Sequence, residues 1–215
     1  MPNRSSTRAI ASENPCAEVS DTSAVRIDGG GGVGLYLGSA STLDDVVYDE
    51  LQVRDFEDVV DLGAGPGSAS LATLLTLFPA RPRSYWLSDR SRSSLQTAQR
   101  LLRACVESPA PGAAVSCEVS RLPALPRMPR RALVWLSMVL NELQAGSRRR
   151  FDAPAFLEGL ARRLEDSSVV VILEPALREP GRQLLSLHDA ALESGAWRVL
   201  APCTHQLSCP LLRER

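Results

Sequence analysis

The stretch "DVVDLGAGPGSASLA", Asp58 to Ala72, decides how the rest of the chain is read. It opens on Val59, Val60 and Leu62, a short apolar run of the kind that forms a buried strand. The chain then passes through Gly63-Ala64-Gly65-Pro66-Gly67 and enters a helical stretch near Ser68. Glycines at this spacing let the backbone turn sharply and let a ligand come close to it. A helix that starts directly after the turn offers unpaired N–H groups at the same place. Asp61, two residues before the first glycine, adds a carboxylate.

Outward from this point, five more β-rich runs follow: "SYWLS" (84–88), "AAVSCEV" (113–119), "ALVWL" (132–136), "SVVVIL" (168–173) and "WRVLA" (197–201). Helical patterns lie between them. In "SRSSLQTAQRLLRAC", Leu95, Ala98, Leu101, Leu102 and Cys105 share one face, which makes Cys105 a core residue in preference to a ligand. Alternating strands and helices predict an α/β fold with a doubly wound, mostly parallel sheet. In such sheets the ligand lies beyond the carboxyl ends of the strands.

The 215 residues suffice for one domain with a substantial core. Residues 1–34 are polar, end in "DGGGGVG" and read as a tail and joint; residues 35–215 read as the domain. The first fifteen residues lack the apolar centre of a secretory signal and read as a disordered tail or a transit peptide. No apolar run approaches the roughly 20 residues needed to cross a bilayer, so no membrane partner is expected. All 24 basic residues are Arg. Without Lys there is no Walker-type phosphate ligand, no Schiff base and no Lys general base. Charge is uneven. Ser41 to Leu62 holds eight acids and one Arg, whereas Arg121 to Arg163 holds nine Arg and three acids. The second stretch is either a solvated surface or a contact for a polyanion, because Arg forks match phosphate.

The glycine loop discriminates between two kinds of cofactor. A dinucleotide fingerprint needs Gly or Ala where this chain has Ser68. The observed G-x-G-x-G with its preceding Asp61 resembles motif I of class I methyltransferases, which bind S-adenosylmethionine (SAM). That resemblance implies that Asp61, Gly63, Ala64, Gly65 and Gly67 hold the methionine end. Asp89, 22 residues beyond Gly67 at a strand end, is a candidate for the ribose hydroxyls, with helix capping as its structural alternative. Ser120, ending the next strand, is expected to flank the adenine. In "ALVWLSMVLNEL" the strand end should face the transferred methyl, with Ser137, Asn141 and Glu142 as candidates and Glu142 the weaker.

"DLGAGPGSASLA", "LSMVLNEL", "VVILEPALREPGRQLL" and "WRVLAPCTHQLSCPL" follow in an order and spacing that resembles the mitochondrial small ribosomal subunit methyltransferase-like family and its bacterial relatives. The resemblance covers about residues 41 to 212. It implies a SAM-dependent enzyme acting on small-subunit rRNA, with Asn141 and Glu174 lining the acceptor side. The alternatives are a SAM-binding assembly factor without turnover and a small-molecule methyltransferase. The expected localisation is cytoplasmic, or mitochondrial in a eukaryote. The class has seven strands, the last one antiparallel and inserted between the fifth and sixth. Six are countable here, so the last strand is expected to be missing and the domain C-terminally incomplete.

Of the five cysteines, Cys203 and Cys209 stand apart, with His205 between them. Spacing alone favours two free thiols, since a closed zinc site or an iron–sulfur cluster takes four ligands. The family resemblance implies that these two match the first ligands of a 4Fe-4S cluster completed beyond Arg215. In this chain the site is expected to be half-built, with both sulfurs open at the surface and no metal held stably.

Overall fold

The computed structural model describes residues 33–39, 56–76, 82–106, 113–146, 151–201, 203 and 205–212. Cys16, the acids between residues 41 and 55, and the arginine run 148–150 lie outside these residues.

Seven strands form one sheet: β1 (Val33–Ser39), β2 (Asp58–Leu62), β3 (Ser84–Asp89), β4 (Ala114–Val119), β5 (Leu133–Ser137), β6 (Val169–Glu174) and β7 (Trp197–Ala201). Their spatial order is β4-β3-β2-β5-β6-β1-β7, and each neighbouring pair is parallel. Among the described residues five α-helices accompany them: α1 (Ser68–Thr76), α2 (Arg92–Val106), α3 (Leu140–Gly146), α4 (Ala153–Ala161) and α5 (Arg178–Ser194). The chain runs outward from β2 through β3 to β4, then returns to β5 on the other side of β2. This reversal opens a crevice at the carboxyl ends of β2 and β5, where no crossover can cover it.

Local chemistry explains the helices. Leu95, Ala98 and Leu102 form a buried stripe on α2, and the Ser91 hydroxyl caps it by accepting from the Ser94 amide at 3.2 Å. Asp152 caps α4 through the Ala155 amide at 3.0 Å, with a proline in the first turn. Gly195, at φ 67°, ends α5 in the left-handed conformation that helix C-termini favour. Each face of the sheet carries its own core. One gathers Leu62, Val134, Phe156, Leu160, Ile172 and Leu187; the other gathers Val59, Leu74, Tyr85, Leu95, Ala98 and Leu102. Among the described helices none is long and apolar enough to cross a membrane.

Two features depart from expectation. The first is β1. The sheet has seven strands where six were countable, because "VGLYLGS" is a strand beginning at Val33, inside the stretch read as tail. It lies between β6 and β7, in the position expected for an absent antiparallel strand, and runs parallel. Its side chains are buried on both faces: Leu35 and Leu37 join one core and Tyr36 the other. A Cβ on Gly34 would sit 2.8 Å from the Leu200 side chain, so glycine is what lets β7 close against β1. Flanked by glycines, this short run carries no sequence mark that separates it from a linker.

The second is the connection from β4 to β5, residues 120–132, which has no helix. It is an irregular arm with three prolines, and Pro rings deny a helix its amide donors. Arg163 fixes it, its Nη1 donating to the carbonyls of Leu125 (3.2 Å) and Pro126 (3.0 Å). Leu122, Leu125 and Met128 pack from the arm onto the core.

As a central strand residue with no exposure, Leu35 makes a direct test of β1. Leu35→Ala is expected to cost about 2–5 kcal/mol in urea denaturation. A loss under about 0.5 kcal/mol, usual for exposed positions, would return this segment to a tail.

Candidate functional site

The crevice at the reversal point is a cavity of about 760 Å³, within the size range of small-ligand sites. Its floor is the glycine loop. Gly63, Gly65 and Gly67 all have positive φ (76°, 51° and 84°), which L side chains rarely adopt. Two of them are also sterically locked. A Cβ on Gly63 would lie 2.6 Å from Val139 Cγ2, and one on Gly67 would lie 2.8 Å from Ala98 Cβ. The amides of Gly63 and Ala64 both donate to the Ser88 carbonyl, at 2.8 and 3.0 Å, tying the loop to the end of β3.

Asp61 lies beneath the loop with 1% of its surface exposed. Its Oδ2 accepts from the Ser70 hydroxyl (2.7 Å) and the Ser70 amide (3.3 Å) of α1. Burial pushes its carboxyl up from 3.8 to about 6. The Ser70 bonds oppose that shift and the nearby Asp89 charge adds to it. Asp89 spans two structures, accepting from Gly65 N on Oδ2 (2.9 Å) and from Ser91 N on Oδ1 (2.7 Å). It thus holds the turn before α2 and also lines the cavity. Ser120 lines the cavity as expected, and so does Ser88, which the sequence did not single out. Both hydroxyls are buried with no hydrogen-bond partner among the described residues. Buried polar atoms are rarely left unpaired, and both residues lie along this cavity.

The far wall brings a correction. Neither Asn141 nor Glu174 lines the cavity. Glu174 is 2% exposed, and its carboxylate accepts from the amides of Leu140 (2.8 Å) and Asn141 (3.3 Å) at the start of α3. Burial raises its pKa, against the pull of the Leu140, Asn141 and Val139 amides. Ser137, Met138, Val139, Glu142, Leu143 and Phe151 form the wall instead. Glu142, the weaker sequence candidate, is exposed and lies 3.7 Å from Arg90. Met138 is the non-glycine residue recorded with positive φ, at 59°. Nothing in its sequence context signals this. Such conformations persist only where the surroundings enforce them.

The C-terminal cysteines depart from expectation too. Cys209 is 2% exposed, its sulfur not open at the surface, and Cys203 is half-buried. The cause is Asp189 on α5. Its Oδ1 accepts from the Cys209 amide at 2.7 Å while meeting His188 Nδ1 at 2.8 Å, which folds this segment onto the helix. Among the described residues no three His, Cys, Asp or Glu side chains are placed to hold a metal ion.

A parallel sheet reversing at β2 and β5, with this acid-backed glycine loop over the reversal, is an α/β, Rossmann-like methyltransferase fold, and the chain has it with a parallel strand where the class has an antiparallel one. More narrowly, the family described as "Mitochondrial small ribosomal subunit Rsm22" matches residues 43–215, and the chain belongs to that family. Among solved structures it is similar to YcgJ from Bacillus subtilis, with 15% identity and a TM-score of 0.44 over 69% of this chain and 57% of that one. It is also similar to precorrin-6y C5,15-methyltransferase from Geobacter metallireducens, with 19% identity and a TM-score of 0.43 over 73% and 74%. The chain thus spans a little over half the length of the Bacillus protein. No curated protein sequence matches it significantly.

The raised pKa of Asp61 has a consequence for stability. A carboxyl that ionises near 6 in the fold and near 3.8 when unfolded favours the folded state most at low pH. That contribution is lost as pH rises through about 6. Asp61→Asn keeps an acceptor for Ser70 without the buried charge. It is expected to stabilise the protein by about 1–3 kcal/mol at neutral pH and by little at acid pH. Urea melts at both pH values read this directly, and equal effects at both would overturn the assignment.

Proposed function

We propose that this chain binds SAM in the cavity at the ends of β2 and β5 and methylates small-subunit rRNA. The observation that carries the cofactor assignment is the buried Asp61 beneath an open helix N-terminus. A glycine loop alone would suit a phosphate. Asp61, Asp89, Glu142 and Asp152 all line the same cavity, against Arg90 and Arg121. That excess of acid repels a pyrophosphate and suits a ligand with an ammonium and a sulfonium. Asp61 and the Gly63–Gly67 loop would take the methionine end, Asp89 the ribose hydroxyls, and the unpaired Ser88 and Ser120 hydroxyls the adenine edge.

SAM supplies an already activated methyl group, so the protein's task is to orient the acceptor and exclude water. Leu122, Leu143 and Phe151 offer apolar surface for a base, and aromatic stacking is a general way to hold unpaired bases. Arg121 and Arg127 are exposed on the helix-free arm, Arg121 at the cavity itself, and can meet phosphates. The family's description names the mitochondrial small ribosomal subunit, and we extend that partner to this chain.

A second reading has its own support. With Asn141 and Glu174 withdrawn from the wall, no buried acid or base among the described residues faces the acceptor side. A SAM-binding assembly factor without turnover fits this equally well.

Titration calorimetry with SAM and its demethylated product tests the cofactor site. Micromolar binding that falls at least about tenfold in Asp89→Ala is expected, and a folded chain that binds neither compound would sink the proposal. Incubation with radiolabelled SAM and small-subunit RNA then separates the two readings, since binding without label transfer supports the assembly factor. Affinity for SAM is expected to fall as pH is lowered through about 6, because protonated Asp61 cannot pair with the ammonium. Affinity independent of pH across that range would remove Asp61 from the site.

A further inference from the structure

Glu174 is a buried carboxylate at the end of β6 that the proposed function leaves without a role. Its surroundings form a mechanical chain. The carboxylate closes over the amides of Leu140 and Asn141, at 2.8 and 3.3 Å. Immediately before them, Met138 sits at φ 59°, a left-handed conformation unfavourable for a side chain of this type. The Met138 amide donates to the Leu173 carbonyl at 2.7 Å, the residue before Glu174. Between the strained residue and the clamped amides stands Val139, which is 7% exposed. Val139 fills the space over Gly63, where even one added carbon would come within 2.6 Å of its Cγ2. β6 thus grips the exit turn of β5 from both sides, and the gripped residue presses on the glycine loop.

We propose that Glu174 is a positioning residue. Closed over the first amides of α3, its carboxylate holds Met138 in the left-handed conformation and so seats Val139 against Gly63 in the wall of the cofactor cavity. No contact between Glu174 and the substrate is involved. The expected effect on cofactor affinity rests on the SAM-binding reading, whereas the effect on the turn does not.

The turn is tested first, by a crystal structure of Glu174→Gln. An amide group cannot accept from both backbone N–H groups with two oxygens, so Met138 is expected to leave the left-handed region and Val139 to withdraw from Gly63. An unchanged turn overturns the proposal whether or not any cofactor binds. Rescue is tested second. Glycine takes a φ near 59° without strain, so Met138→Gly should form the turn without the clamp. Calorimetry with SAM is expected to show Glu174→Gln weakened about tenfold relative to the wild type, but only within about threefold when made in the Met138→Gly background, whatever Met138→Gly itself loses as a wall residue. A loss of about tenfold from Glu174→Gln in the Met138→Gly background as well overturns the proposal. Should Glu174→Gln fail to fold, the double variant is expected to fold, and its equal failure also overturns the proposal. Absence of SAM binding by the wild-type protein would instead strike the cofactor reading, leaving the structural test to decide the role of Glu174.

Discussion

Two segments leave the sheet side by side, Gly63 after β2 and Met138 after β5, and they must pass in contact. Val139 occupies the space a Cβ on Gly63 would need. This close passage sets the shape of the cavity, because β2 and β5 are neighbours whose onward connections diverge to opposite sides. Gly67 repeats the constraint one turn later against Ala98 of α2. The glycines therefore do more than leave room for a ligand. They let the β5 exit and α2 close on the loop, so that it is held by packing and by two amides on the Ser88 carbonyl.

Electrostatics give this packed loop its character. A helix N-terminus ordinarily attracts anions. Here α1 spends its first-turn Ser70 amide and the Ser70 hydroxyl on Asp61, which is buried at a cost in protonation free energy. A buried acid beside a second carboxylate, as Asp61 is beside the partly buried Asp89, is costly in a fold that need only be stable, and such pairs are common where a ligand of opposite charge completes the site. Glu174 shows the other use of a buried acid, with its charge spread over backbone amides and its role confined to holding a turn.

The edge of the sheet follows a different logic. The position between β6 and β7 must be filled, since both strands carry unpaired backbone groups and apolar faces. β1 fills it with seven residues, buried on both faces. The same pressure draws the last segment inward, where Asp189 holds the Cys209 amide and the cysteine becomes part of the packing beside α5.

By itself, the sequence determined the alternation of elements and the loop. All six strands read from apolar runs lie within a residue of their places, and Asp61, Gly63, Gly65, Asp89 and Ser120 line one cavity, with Gly67 packed against Ala98 of α2. These are local signals: a strand long enough to bury, a turn that only glycine can make, an acid at a fixed offset from it. Tertiary structure alone decided the rest. Whether "VGLYLGS" is linker or central strand depends on β6 and β7, which begin more than 130 residues later. That Glu174 points to the amides of α3 and not into the cavity depends on β5 and β6 lying side by side, with Ser137 opposite Leu173. The left-handed Met138 follows from the same pairing. Side-chain direction and backbone strain at a site are set by neighbours distant in sequence, and no local pattern encodes them.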